Sequence, residues 1–74
     1  MLEFTADEWV YEPERGHIAL CVIPSDQDQN PDIQFKNVKI NGKEYYVVEV
    51  VYHLKDRHKI PGANGIAILV RGDV

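Results

Sequence analysis

The dipeptide Asn41-Gly42 constrains this chain more than any other feature. It stands between Val38-Lys39-Ile40 and Lys43-Glu44-Tyr45-Tyr46, two runs rich in β-branched, aromatic and long side chains. A two-residue hairpin loop needs positive φ at both central positions, which Asn and Gly tolerate best, so the spacing predicts a type I′ hairpin. Across that turn Lys39 faces Glu44 and Val38 faces Tyr45, pairs worth roughly 0.2–1 kcal/mol each. The second arm runs from Lys43 to Leu54 and is apolar on both faces. Tyr46, Val48, Val50, Tyr52 and Leu54 alternate with Tyr45, Val47, Glu49, Val51 and His53. A long strand of this kind bends from one sheet into another in a small barrel, and Glu49 is the expected place for the bend. In the first arm, Ile33 and Phe35 fall out of step with Val38 and Ile40, which predicts a β-bulge near Lys36-Asn37.

The flanking segments fit the same class. His17 to Ile23 is a continuous apolar run after the turn chemistry of Glu12-Pro13-Glu14-Arg15-Gly16, and it reads as a central strand buried on both faces. Ile66 to Val70 reads as a last strand. Met1 to Glu12 carries Leu2, Phe4, Trp9, Val10 and Tyr11 among acids, with the pattern broken at Asp7-Glu8, and reads as an N-terminal arm or edge strand. The expected fold is all-β: one domain over residues 1–74, a small barrel or roll of about five to six antiparallel strands, SH3-like or OB-like in size. Its core spans 17–70, with the arm at 1–12. A chain of 74 residues buries only roughly 60% of its unfolded surface, so a partner or an oligomer would help it.

Charge is divided along the chain. Residues 1–32 hold eight acids against Arg15 alone, and residues 33–74 hold seven bases against four acids, within a net charge of −4. Either the halves neutralise each other inside the domain, or an acidic segment of one subunit meets a basic face of another. In the second reading Leu2, Phe4, Trp9 and Tyr11 on the arm, and Lys55, Arg57, His58 and Lys59 in the basic loop, are the partner-binding residues. Trp9 is the expected hot spot.

Catalytic and metal-binding patterns fail on spacing. Asp26, Asp28 and Asn30 alternate as the first ligands of an EF-hand do, but Pro31 replaces the required Gly and Asn37 stands where the bidentate Glu belongs. His17, His53 and His58 have no zinc-site spacing, Ser25 lacks the small flanks of a nucleophile elbow, and no glycine-rich phosphate loop follows a strand. Cys21, the single cysteine, has no basic neighbour in sequence and reads as a small hydrophobe. The expectation is no enzyme, no cofactor and no metal. The Arg71-Gly72-Asp73 triplet resembles that of integrin ligands, but an intracellular protein can carry the tripeptide by chance. With neither a signal peptide nor an apolar run of about 18 residues, the chain reads as soluble and made in a reducing compartment, with no membrane partner. Small barrels also bind nucleic acid through aromatics beside basic grooves, and Tyr45, Tyr46, Tyr52 and the basic loop are the candidate parts. The negative net charge weighs against it.

The pattern Val38-x-Ile40-x-Gly42-x-x-Tyr45-x-Val47-x-x-Val50, followed by Gly65-Ile66-x-Ile68-x-Val70, resembles the hairpin and return strand of small β-barrel virion proteins of tailed phages. These include head-completion, tail-completion and capsid-decorating components. The resemblance covers the C-terminal half. It implies a non-enzymatic assembly protein that binds neighbouring subunits, its own copies or a larger virion protein. Such a chain would be cytoplasmic during assembly and then part of the virion. An intracellular inhibitor of a host protein is a further reading.

Overall fold

The computed structural model describes residues 2–23, 26–28, 30–54 and 64–72, with residues 53 and 54 through their backbone only. Five strands form: β1 (Glu3–Glu12), β2 (Gly16–Ile23), β3 (Asn37–Ile40), β4 (Lys43–Leu54) and β5 (Asn64–Arg71). They close into a barrel in the order β1-β2-β5-β4-β3, and the described residues contain no helix. All neighbours are antiparallel except β1 and β3, the pair that closes the barrel, which is parallel. The chain makes a hairpin, β1-β2, then a meander, β3-β4-β5, and the two are sealed along β2-β5 and β1-β3.

The predicted turn forms as its chemistry requires. Asn41 has φ 53 and Gly42 φ 84, and the register pairs Val38 with Tyr45, Lys39 with Glu44 and Ile40 with Lys43. Asn41 also helps close the barrel. Its backbone N–H donates to Phe4 C=O at 3.0 Å, and its side chain accepts from Ala6 N–H at 3.0 Å and donates to Ala6 C=O at 3.3 Å. The side-chain amide thus continues the β1–β3 ladder by one rung beyond the end of β3.

Within the expected arm at 1–12, the strand Glu3–Glu12 is therefore neither an arm nor an edge strand. β1 pairs with β2 on one side and β3 on the other, and Phe4 is 4% exposed in the core. The break at Asp7-Glu8 marks a bulge, where the register against β2 shifts between Ala6 and Glu8. The extra residue keeps Ala6 and Trp9 packed against the interior although their spacing is odd.

The bulge expected near Lys36-Asn37 lies one residue earlier. Phe35 N–H donates to Val47 C=O at 2.8 Å and Val47 N–H donates to Lys36 C=O at 2.9 Å, so two residues face one. β4 does not bend once at Glu49. Its register against β5 shifts twice, between Val47 and Glu49 and between Val50 and Tyr52. Each shift inverts the alternation, so Tyr45, Val47 and Val50 join the interior while Val48 and Val51 join a cluster on the opposite face. Strict period-2 reading of β4 assigned Val50 and Val51 to the wrong sets for this reason.

The interior is filled by Phe4, Ala19, Cys21, Ile23, Ile33, Val38, Ile40, Tyr45, Val47, Ile66, Ile68 and Val70. No polar or charged side chain is buried among the described residues. The packed interior has the branched residues that β-structure favours and resembles a dry core rather than a ligand chamber.

Candidate functional site

The outside of the barrel has two unlike faces. Alternation places Ile18 and Leu20 of β2, and Ala67 and Leu69 of β5, outward, because their neighbours Ala19, Cys21, Ile66 and Ile68 point inward. Ile18, Ala67 and Leu69 form a second apolar cluster, with Leu20, Val48 and Val51 packed against it. Ile18 pairs laterally with Val10, and Ala67 with Tyr52, both among the exposed large hydrophobics. One side of the barrel thus carries a second, buried apolar cluster, Ile18, Ala67 and Leu69 being 5%, 0% and 6% exposed, with Val10 and Tyr52 exposed at its margin. The bulges of β4 contribute Val48 and Val51 to it.

The other face is polar and its charges alternate. Glu3 lies beside Lys39, and Lys39 beside Glu44, on adjacent strands. Lys36 Nζ is 3.6 Å from Asp32, the Lys43 ammonium sits 5.4 Å from the Tyr45 ring centre, and the Arg71 guanidinium 4.8 Å from that of Tyr46. Arg15, the lone base of the first 32 residues, donates to Glu49 at 2.8 Å and lies 3.8 Å from Glu12. Among the described residues, opposite charges of the two halves are interleaved across the strands, which is the neutralising arrangement.

Of the partner-binding residues expected from sequence, the four on the N-terminal segment are described and are placed differently. Leu2 is exposed and Phe4 is core, so Phe4 is not available to a partner. Trp9 packs against the core with its ring centre 5.3 Å from that of Tyr45, closing the interior rather than standing free as an anchor. Tyr11 is exposed, with its ring 4.8 Å from that of His17. Lys55, Arg57, His58 and Lys59 lie outside the described residues, as does Asp73 of the Arg-Gly-Asp triplet.

The chemistry-bearing groups have structural partners. Cys21 is 1% exposed inside the barrel, and burial, followed by the nearby charge of Asp7, pushes its thiol up to about 12. At neutral pH it is a packed thiol without nucleophilic character. The Asp28 carboxylate accepts from Asn30 N–H at 3.0 Å, a local turn bond. No group of three or more His, Cys, Asp or Glu side chains that could hold a metal ion occurs among the described residues. A shallow cleft of about 350 Å³ lies between residues 30–34 and Glu49-Val50, walled mainly by polar atoms.

The reading of β2 as buried on both faces holds, with Ile18 on one side and Ala19, Cys21 and Ile23 on the other all in buried clusters. Sequence reasoning missed one feature: Phe35 has φ 63 and is 64% exposed. Its signal was the slip of parity between Ile33-Phe35 and Val38-Ile40. No protein-family model matches the chain, and neither does any curated protein or solved structure. No helix among the described residues is long and apolar enough to cross a membrane.

Proposed function

We propose that this barrel is a non-enzymatic structural module that binds neighbouring protein subunits through the exposed apolar residues of its outer face. A virion assembly role, in head or tail completion or capsid decoration, is the specific form suggested by the resemblance of residues 38–70. One observation carries the reading: Val10 and Tyr52, both exposed large hydrophobics, flank the buried cluster of Ile18, Ala67 and Leu69 on the outer side of the barrel. A closed barrel also limits how such a module associates. Closure removes most of the unpaired backbone that strand addition would use, so side chains must supply the contact.

The test uses the exposed margin of the face, so that folding is not at issue. Val10→Lys with Tyr52→Lys places two charges at the rim, where surface substitutions change stability by about 0.5 kcal/mol or less. Sedimentation velocity and native mass measurement should show the wild type in assemblies larger than one chain, and the folded double variant as a monomer. A wild type that sediments as a monomer at all concentrations, indistinguishable from the variant, overturns self-assembly through this face. Nucleic-acid binding has less support. Lys36 and Lys39 lie among carboxylates, whereas affinity for a phosphate backbone depends largely on uncompensated cations.

A further inference from the structure

We infer that Phe35 is a preformed anchor that seats its ring in an apolar pocket of another protein. The inference rests on the reading of the barrel as a protein-binding module, but on a different surface and a different observation. Lys36 N–H donates to Ile33 C=O at 3.0 Å, closing a turn with Phe35 at its third position. The same Phe35 is the first residue of the bulge opposite Val47, and it has φ 63. Glycine is the usual occupant of that bulge position, because a side chain in the left-handed region meets its own backbone. A bulky residue there is an outlier, with strain on the order of 1–3 kcal/mol.

Neither usual compensation is present. Asn41, the other non-glycine residue at positive φ, holds Ala6 with two hydrogen bonds from its side chain. A phenyl ring has no such bond to make. Burial does not compensate either, since the ring is mostly in solvent. The strained backbone is nevertheless well fixed. Ile33 is buried, Gln34 Nε2 reaches Val48 C=O at 3.5 Å, and Lys36 pairs with Asp32. The result is an aromatic side chain held outward on a rigid turn, which reduces the ordering entropy of binding.

The surroundings select the partner. Lys36 is engaged with Asp32, and Glu49 lines the cleft behind the turn, so the site lacks the excess of cations that a nucleic acid or an anionic lipid surface needs. A second copy does not offer the complement: in its cleft Asn30, Asp32, Gln34 and Glu49 would lose water to a phenyl ring that pairs with none of them, and its outer cluster of Ile18, Ala67 and Leu69 is already buried. An apolar pocket with a polar rim, on a different protein, fits an exposed ring flanked by polar residues.

The test begins with Phe35→Gly. Relief of the left-handed strain, offset in part by the freer unfolded chain, should raise the ratio of folded to unfolded protein about fivefold. A packing role predicts the opposite sign, and a lower denaturant midpoint overturns the inference. The availability of the ring is read with β-cyclodextrin as an apolar-cavity probe. Amide shifts should centre on residues 33–36 in the wild type and vanish in Phe35→Gly while persisting in Tyr11→Ser. Shifts that ignore Phe35 overturn it. Finally, a photoreactive benzoylphenylalanine at position 35, in the full chain in its own cell, should cross-link one defined protein. Once purified, that protein should bind Phe35→Gly at least tenfold more weakly than the wild type, although the variant is the more stable. Cross-links only to a second copy, only to nucleic acid or lipid, or to nothing, overturn the inference, as does equal affinity of the two forms. If these fail while Val10→Lys with Tyr52→Lys still breaks assembly, only the role of Phe35 falls. If both fail, the protein-binding reading falls too.

Discussion

Asn41 permits a left-handed turn at φ 53 while its amide holds the Ala6 backbone through both donor and acceptor. Those two duties can be separated. Asn41→Gly keeps the turn and loses the amide, whereas Asn41→Asp also sets a carboxylate oxygen against Ala6 C=O. Denaturant melts should show each variant destabilised, by about 1 kcal/mol for Gly and about 2 for Asp at neutral pH. Protonating the introduced carboxyl restores a donor, so Asn41→Asp should recover part of its loss as pH falls below about 4. Equal midpoints for wild type and both variants would mean the amide contributes nothing to closure.

Cys21 permits a second measurement at the same scale. Its folded value of about 12 lies above the ordinary thiol value of 9.0, so between those pH values the unfolded chain releases a proton that the folded chain keeps. Stability is fully present below about pH 9 and falls as pH rises toward 12. Relative to Cys21→Ala, the wild type should lose about 2 kcal/mol between pH 8 and 10.5. A constant gap between the two proteins across that range would show that the thiol ionises in place.

At the scale of elements, the decisive fact is that β1 is a stave. It supplies Phe4 to the core and the parallel partner of β3, a strand of only four residues whose other side pairs with β4. Phe4→Ala should therefore cost about 3–5 kcal/mol, a large share of the 5–15 kcal/mol available to a small domain. Leu2→Ala, at an exposed position, should stay within about 0.5 kcal/mol of the wild type. Thermal or urea unfolding checks the contrast, and similar small effects at both positions would return the segment to the status of an arm. The alternation of residues 2 and 4 showed a strand, but not its neighbours. β4 shows the converse: its length and the hairpin register were legible, yet its two bulges were not, because Val48 and Val51 look like any other valine in a strand.

At the scale of the molecule, the division of charge along the chain becomes, among the described residues, an alternation in space, since β1 lies against β3 and Arg15 reaches Glu49. The second, buried apolar cluster is assembled likewise from β2, β4 and β5, with Val10 of β1 at its margin. The sequence by itself determined what short-range chemistry controls. It required the Asn41-Gly42 turn and its register, the all-β class, the buried β2 strand and the inert environment of Cys21. Each depends on the φ preference, branching or polarity of residues close together in the chain. Only the tertiary structure decided the strand order, the parallel seam, the interior placement of Phe4 and Trp9, the outward face of Ile18, Ala67 and Leu69, and the strained exposure of Phe35. Those depend on which strands meet and where a bulge inverts the alternation. A period-2 pattern assigns two faces to a strand, but only its neighbours decide which face is the inside.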